Sequence, residues 1–143
     1  MNTVRRLTVA TALAPLTIVV PAPAGATPAY GMDVDTLSQS TNNGNDYIVR
    51  QITINPGGST GWHYHTGETF GIVRAGTLTH YAADCTVDGV YQQGGAVNEP
   101  PGEEHVHLGR NLGPAPLVLL VVFVPPAGAK PTVDVPDPGC GFG

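Results

Sequence analysis

An all-β domain, a sandwich or barrel, is the fold class this sequence predicts, and three observations carry it. Beyond the first 26 residues no stretch shows the apolar period of about 3.6 residues that marks an amphipathic helix. Short runs rich in β-branched residues recur instead, of which Tyr47–Ile54 and Leu117–Val124 are the clearest. Nineteen glycines and fourteen prolines punctuate these runs at short intervals, as turns do in a sandwich or barrel.

The opening segment, 1–26, stands apart. Arg5 and Arg6 precede an apolar run from Leu7 to Val20, and Ala24-Gly25-Ala26 offers a small-residue cleavage site. That layout is a secretory signal peptide cut after Ala26. The run is short for a membrane span and is interrupted by Pro15. Arg5-Arg6 also suits twin-arginine export, although Val4 and Leu7 add no surrounding motif.

Cleavage leaves residues 27–143, one small domain, with a barrel core over about 46–126 and a Pro/Gly-rich tail, 127–143. Four basic residues (Arg50, Arg74, Arg110, Lys130) then face eleven acidic ones, a formal charge of −7. With no basic patch, nucleic acid is excluded as a partner. Nothing in the mature part is long enough to span a bilayer, so the expected location is secreted or extracytoplasmic. There an even pair of cysteines, Cys85 and Cys140, reads as one disulfide, able to tie down a tail that is otherwise loose.

Along the chain, Thr27 to Asn45 is polar and small, with a turn at Asn42–Asn45. Tyr47–Ile54 is a strand that Asn55-Pro56-Gly57-Gly58 breaks. Gly61–His65 begins the next; after a Thr66-Gly67 turn come strands over Glu68–Arg74 and Thr77–Tyr81, joined at Ala75-Gly76. Phe70 and Ile72 are core candidates. Val90–Gln93 is short, Gly94-Gly95 turns into Ala96–Asn98, and Pro100-Pro101-Gly102 is a rigid corner before His105–Leu108. Leu117–Val124 is wholly apolar and reads as a buried strand.

Four of the five histidines fall in two His-x-His pairs, His63/His65 and His105/His107. Residues two apart project from one face of a strand, so each pair aims two imidazoles in one direction. Imidazole is the commonest metal ligand and suits Zn, Cu, Fe and Ni. A lone histidine is more often structural, and His80 takes that reading; Trp62, flanking the first pair, takes the reading of a packing residue. Arg74 and Arg110 read as solvent charges.

With their surroundings, these pairs resemble the cupin family. Gly57-x5-His63-x-His65 is similar to the start of its first motif, G-x5-H-x-H-x3,4-E-x6-G, and Gly94-x5-Pro100-x-Gly102-x2-His105 to its second, G-x5-P-x-G-x2-H-x3-N. The resemblance implies a double-stranded β-helix, or jelly roll, holding a divalent transition metal (Zn, Mn, Fe, Ni or Cu) inside the barrel. It implies metal ligands among His63, His65, Glu68, His105 and His107. Two choices stay open. The family's glutamate position, seven residues before Gly76, holds Thr69, with Glu68 one residue early; a one-residue slip reverses the face unless a bulge at Gly67 restores it. Counting from Pro100 and Gly102 selects His105, whereas counting back from Asn111 selects His107.

Function divides three ways. A metal with an open position fits a small enzyme (dioxygenase, isomerase or similar), with Glu103 and Glu104 as acid–base candidates against a reading as solvated loop carboxylates. The alternatives are a non-catalytic module binding metal or a small ligand, and a structural cupin whose metal site has decayed. A small-molecule ligand and a homodimer are both compatible with the chain.

Overall fold

The computed structural model describes residues 25–143. The expected leader, 1–26, lies outside the described residues except for its last two positions. Among the described residues the strands are β1 (Tyr30–Asn42), β2 (Asn45–Ser59), β3 (His63–His65), β4 (Glu68–Ala75), β5 (Thr77–Ala82), β6 (Val87–Gln92), β7 (Ala96–Glu99), β8 (His107–Arg110), β9 (Leu117–Val124) and β10 (Thr132–Asp134). A 3₁₀ turn covers Glu103–His105. No described helix is long and apolar enough to cross a membrane.

One run of strands is ordered β1-β2-β9-β4-β7 and a second β10-β3-β8-β5-β6; they meet where Ser59 on β2 pairs with Arg110 on β8. Every ladder is antiparallel. The result is the nearly closed double-stranded β-helix that the sequence resemblance implies. Ile48, Ile54, Val73, Leu78, Val97, Leu117, Leu119, Val121 and Phe123 form its core.

Three local expectations are corrected. The segment before Asn45 forms the 13-residue strand β1. Asn43 and Gly44 both take positive φ, 50° and 79°, making the two-residue hairpin turn that matches strand twist; β1 lacks an apolar pattern because it is an edge strand exposed along most of its length. β9 is not buried on both faces: Leu117, Leu119, Val121 and Phe123 point into the core, while the residues between them are only half-buried. Phe70 and Ile72 are 49% and 47% exposed, because the inward residues of β4 are Thr69, Gly71 and Val73 and a strand alternates faces. A Cβ on Gly71 would come within 2.8 Å of Val97 Cγ1, so any side chain at that inward position would have to displace Val97.

The tail is tied down. Cys85 and Cys140 form a disulfide with Cα atoms 5.4 Å apart. β10 pairs with the histidine strand β3, and fully buried Trp62 donates its indole N–H to the Phe142 carbonyl at 2.8 Å. Trp62 is therefore a packing residue behind the site.

Candidate metal centre

His63 and His65 project together from β3, and both are buried while Tyr64 between them is partly exposed. β8 runs antiparallel beside β3 and sets His107 directly opposite His63. The three rings gather at centroid separations of 4.4 to 5.0 Å, and one nitrogen from each lies within 4.8 Å of the others, a group able to hold a metal ion.

The orientation of the rings is fixed from behind. Nδ1 of His63 lies 2.9 Å from the Gly61 carbonyl, Nδ1 of His107 2.7 Å from that of His105, and Nδ1 of His65 3.1 Å from that of Pro131. A carbonyl can only accept, so each Nδ1 carries a proton and each Nε2 is turned toward the cluster. Outer contacts of this kind fix tautomer and aim in metal sites. The Pro131 contact also gives the tail a role, since it orients His65.

Electrostatics keep two of these rings in the ligating form. Burial, and next the neighbouring His65, pushes His63 down to about 4; burial, and next His63, pushes His107 down to about 3. Both are uncharged at neutral pH. His107 Nε2 is buried without a hydrogen-bond partner, a cost the fold should avoid unless something occupies that lone pair.

Two residues outside the sequence-derived set complete the cluster. Glu99, at the end of β7, places Oε2 2.9 Å from His65 Nε2 and Oε1 3.7 Å from His107 Nε2. Burial raises the Glu99 carboxyl, but the imidazoles that face it, His65 first and then His80 and His107, outweigh burial and hold the group well below its ordinary value. Glu99 is the cross-strand partner of Thr69. The carboxylate missing from the motif position on β4 is thus supplied from the facing residue of the adjacent strand. Its sequence signal was faint: Glu99 stands two residues after buried Val97, on the same inward face.

His80, on β5, stacks against His107 at 4.8 Å. Its Nδ1 donates to Asp88 at 2.5 Å, and its Nε2 lies 3.3 Å from Glu99 Oε1 in ion-pair contact, off the angle of a hydrogen bond. Burial pushes the imidazole down, but the two carboxylates outweigh it and raise its pKa. His80, Glu99 and His107 form a second potential metal group. A ring held between two carboxylates favours its protonated form and is a poor donor, so His63, His65 and His107 are the better set.

Glu68 and His105 fall outside the cluster. Glu68 is exposed at the start of β4 and pairs in regular register with Val124; no bulge occurs at Gly67, where a Cβ would sit 2.0 Å from the Val124 carbonyl. His105 ends the 3₁₀ turn, and its side chain is 44% exposed and 3.9 Å from Glu104. The turn breaks the strand periodicity that would have aligned His105 with His107. Glu103 and Glu104 are exposed, and Glu103 accepts from Tyr64 Oη at 3.2 Å.

The histidines open onto a cavity of about 270 Å³ walled largely by aliphatic side chains, including Met32, Ile52, Leu119 and Val121. No curated protein matches the chain. Solved structures of the same architecture include the polyketide cyclase RemF from Streptomyces resistomycificus, 21% identical with a TM-score of 0.61 over 86% of this chain and 89% of that one. A cupin-like protein from Thermotoga maritima is 21% identical with a TM-score of 0.62, covering 80% and 86%. An uncharacterized conserved protein with a double-stranded β-helix domain from Klebsiella pneumoniae is 23% identical with a TM-score of 0.58, covering 76% and 84%. At these identities the likeness is one of fold. The Cupin domain family matches residues 50–123, more than half of the chain, so the protein, with its histidines on the inner wall of the barrel, is a member of the cupin superfamily.

Proposed function

We propose that the protein is an exported cupin in which His63, His65 and His107 hold one divalent transition metal, with the Glu99 carboxylate beside them, and present it to a small organic ligand in the adjoining cavity. The observation that carries this reading is the convergence of three Nε2 atoms, each on a ring whose Nδ1 is held by a backbone carbonyl. Two of those nitrogens face the Glu99 carboxylate, His65 Nε2 at 2.9 Å and His107 Nε2 at 3.7 Å, so a negative charge stands beside the atoms that would hold the cation. Glu68 and His105 have no part in this set. When bound, such an ion polarises a ligand oxygen or activates one held at its open position. The chain itself fixes the imidazoles, keeps those of His63 and His107 uncharged, and walls the ligand in apolar side chains. A small metal-dependent enzyme, a dioxygenase, isomerase or similar, is the activity that this arrangement supports. The disulfide favours an oxidising, extracytoplasmic location.

Elemental analysis of protein purified from its exported form tests this reading. The wild type should carry one equivalent of Zn, Mn, Fe, Ni or Cu, and the His63→Ala, His65→Ala double variant should carry none. Glu99→Gln should weaken binding roughly 10- to 100-fold, whereas Glu68→Gln and Thr69→Ala should leave it unchanged. Equal metal in wild type and double variant, or none in either, refutes the assignment.

The outer face of β2, β9 and β4 carries exposed Tyr47, Phe70 and Ile72 beside half-buried Val122 and Leu120. An apolar sheet face of this kind supports the homodimer by face-to-face packing.

A further inference from the structure

Among the described residues Arg50 is the one Lys or Arg that lines the cavity. It stands on β2 between Thr36 of β1 and Val121 of β9. Its guanidinium lies over the Phe123 ring at 5.6 Å, and the other side of the cluster begins at the same ring, since His65 and Phe123 have centroids 5.5 Å apart. One aromatic side chain therefore separates a fixed cation from the candidate metal ligands. Val34, which also lines the cavity, is 43% exposed, so the β1 side of the cavity, where Arg50 lies, opens to solvent.

A guanidinium cannot lose its proton in a protein, and its shielded atoms need a partner. Half-buried Arg50 has no carboxylate partner among the described residues. Its Nε is buried without a hydrogen-bond acceptor, and the ion pairs among the described residues all belong to histidines. Glu99 and Asp134 line the same cavity, yet neither pairs with it. Glu99 is already engaged by His65 and His80. Arg110 makes a similar stack on Phe142 at 5.5 Å but does not line the cavity, so only Arg50 combines an unpaired guanidinium with ligand space.

We propose that Arg50 is the anchor for a carboxylate on the cavity's ligand, which fixes the ligand class as a small organic acid with an apolar body. The planar guanidinium matches a carboxylate's two oxygens, the aliphatic wall and Phe123 suit the body, and the far end of the acid is thereby held toward the histidines. This deepens the proposed function and rests on its placement of the reacting end at the His63, His65 and His107 cluster.

Calorimetric titration with benzoate, phenylacetate and 3-phenylpropionate, each against its neutral amide, tests the anchor in the exported protein with its disulfide intact, metal-free and zinc-loaded. At least one acid should bind metal-free wild type roughly 10- to 150-fold more tightly than its amide. Arg50→Gln should abolish that preference and Arg50→Lys should restore part of it. In the wild type the Arg50 Nε–H resonance should shift on adding acid and not on adding amide. Acids that bind no better than amides, acids that do not bind, or a preference that survives Arg50→Gln overturn the anchor. Should Arg50→Gln fail to fold, the acid-to-amide ratio and the Nε–H resonance of the wild type decide the question. Zinc content of the same samples keeps the two readings apart: zinc uptake with Arg50-independent acid binding sinks the anchor alone, and Arg50-dependent acid binding without zinc uptake sinks the metal assignment alone.

Discussion

Acid should destabilise the metal-free protein steeply within a narrow window. His63 and His107 are held down to about 4 and about 3, against roughly 6.5 for an imidazole in an unfolded chain. Well above pH ~6.5 these rings carry no proton in either state and contribute no pH dependence. Below it the unfolded chain takes up two protons that the folded chain refuses, so stability falls by about 1.4 kcal/mol per pH unit for each ring. Between pH 6.5 and 5 the two rings together cost about 3 kcal/mol, a large fraction of the roughly 5–15 kcal/mol typical of a domain. His80 and Glu99 add little within this window. His80 is raised, so its stabilisation is complete below the unfolded value and is lost only as pH rises through its folded value. Glu99 is depressed, so its contribution begins to fade only below the ordinary carboxylate range. Urea unfolding of chelator-treated protein at pH 6.5 and 5.0, followed by the fluorescence of the single, fully buried Trp62, measures the difference. His107→Gln should remove about half of the pH dependence, whatever it does to stability at pH 6.5. Equal midpoints at the two pH values, or a His107→Gln protein with the full wild-type slope, would refute the claim that burial holds these imidazoles uncharged.

Two further outcomes are expected. The Cys85–Cys140 bridge spans 55 residues, for which the chain-entropy relation gives about 4 kcal/mol of stability; exported protein should show no alkylatable thiol without reductant, and reduction should lower both the melting temperature and metal affinity, because the freed tail carries the Pro131 carbonyl that orients His65. Sedimentation equilibrium should show a dimer that Phe70→Lys with Ile72→Lys converts to a monomer at unchanged metal content; a wild-type monomer, or a dimer that survives both substitutions, counts against the β2-β9-β4 face.

The sequence by itself determined the fold class and the anchor of the site. Turn residues and β-branched runs are local signals, and they placed β4, β5 and β9 to within a residue or so. His63 and His65 were legible because a strand's period of two is a property of the chain alone. The partners of that pair were decided in three dimensions. His105 and His107 are equivalent in a regular strand, and only the 3₁₀ turn over Glu103–His105 sends one outward and the other inward. The inward face of β4 depends on its neighbours in the sheet: Val97, across from Gly71 on β7, fills the space on that face, and Phe70 and Ile72 lie outside. Glu99 replaces the carboxylate expected near Thr69 because antiparallel pairing makes the two residues neighbours across thirty positions of sequence. His80 and Arg50, each unremarked within its own strand, gain their surroundings from strands distant in the chain: β7 and β8 around His80, β9 around Arg50. Periodicity fixes which side of a strand a residue occupies relative to its neighbours; strand pairing fixes what stands on that side, and the chemistry of this site follows from the second.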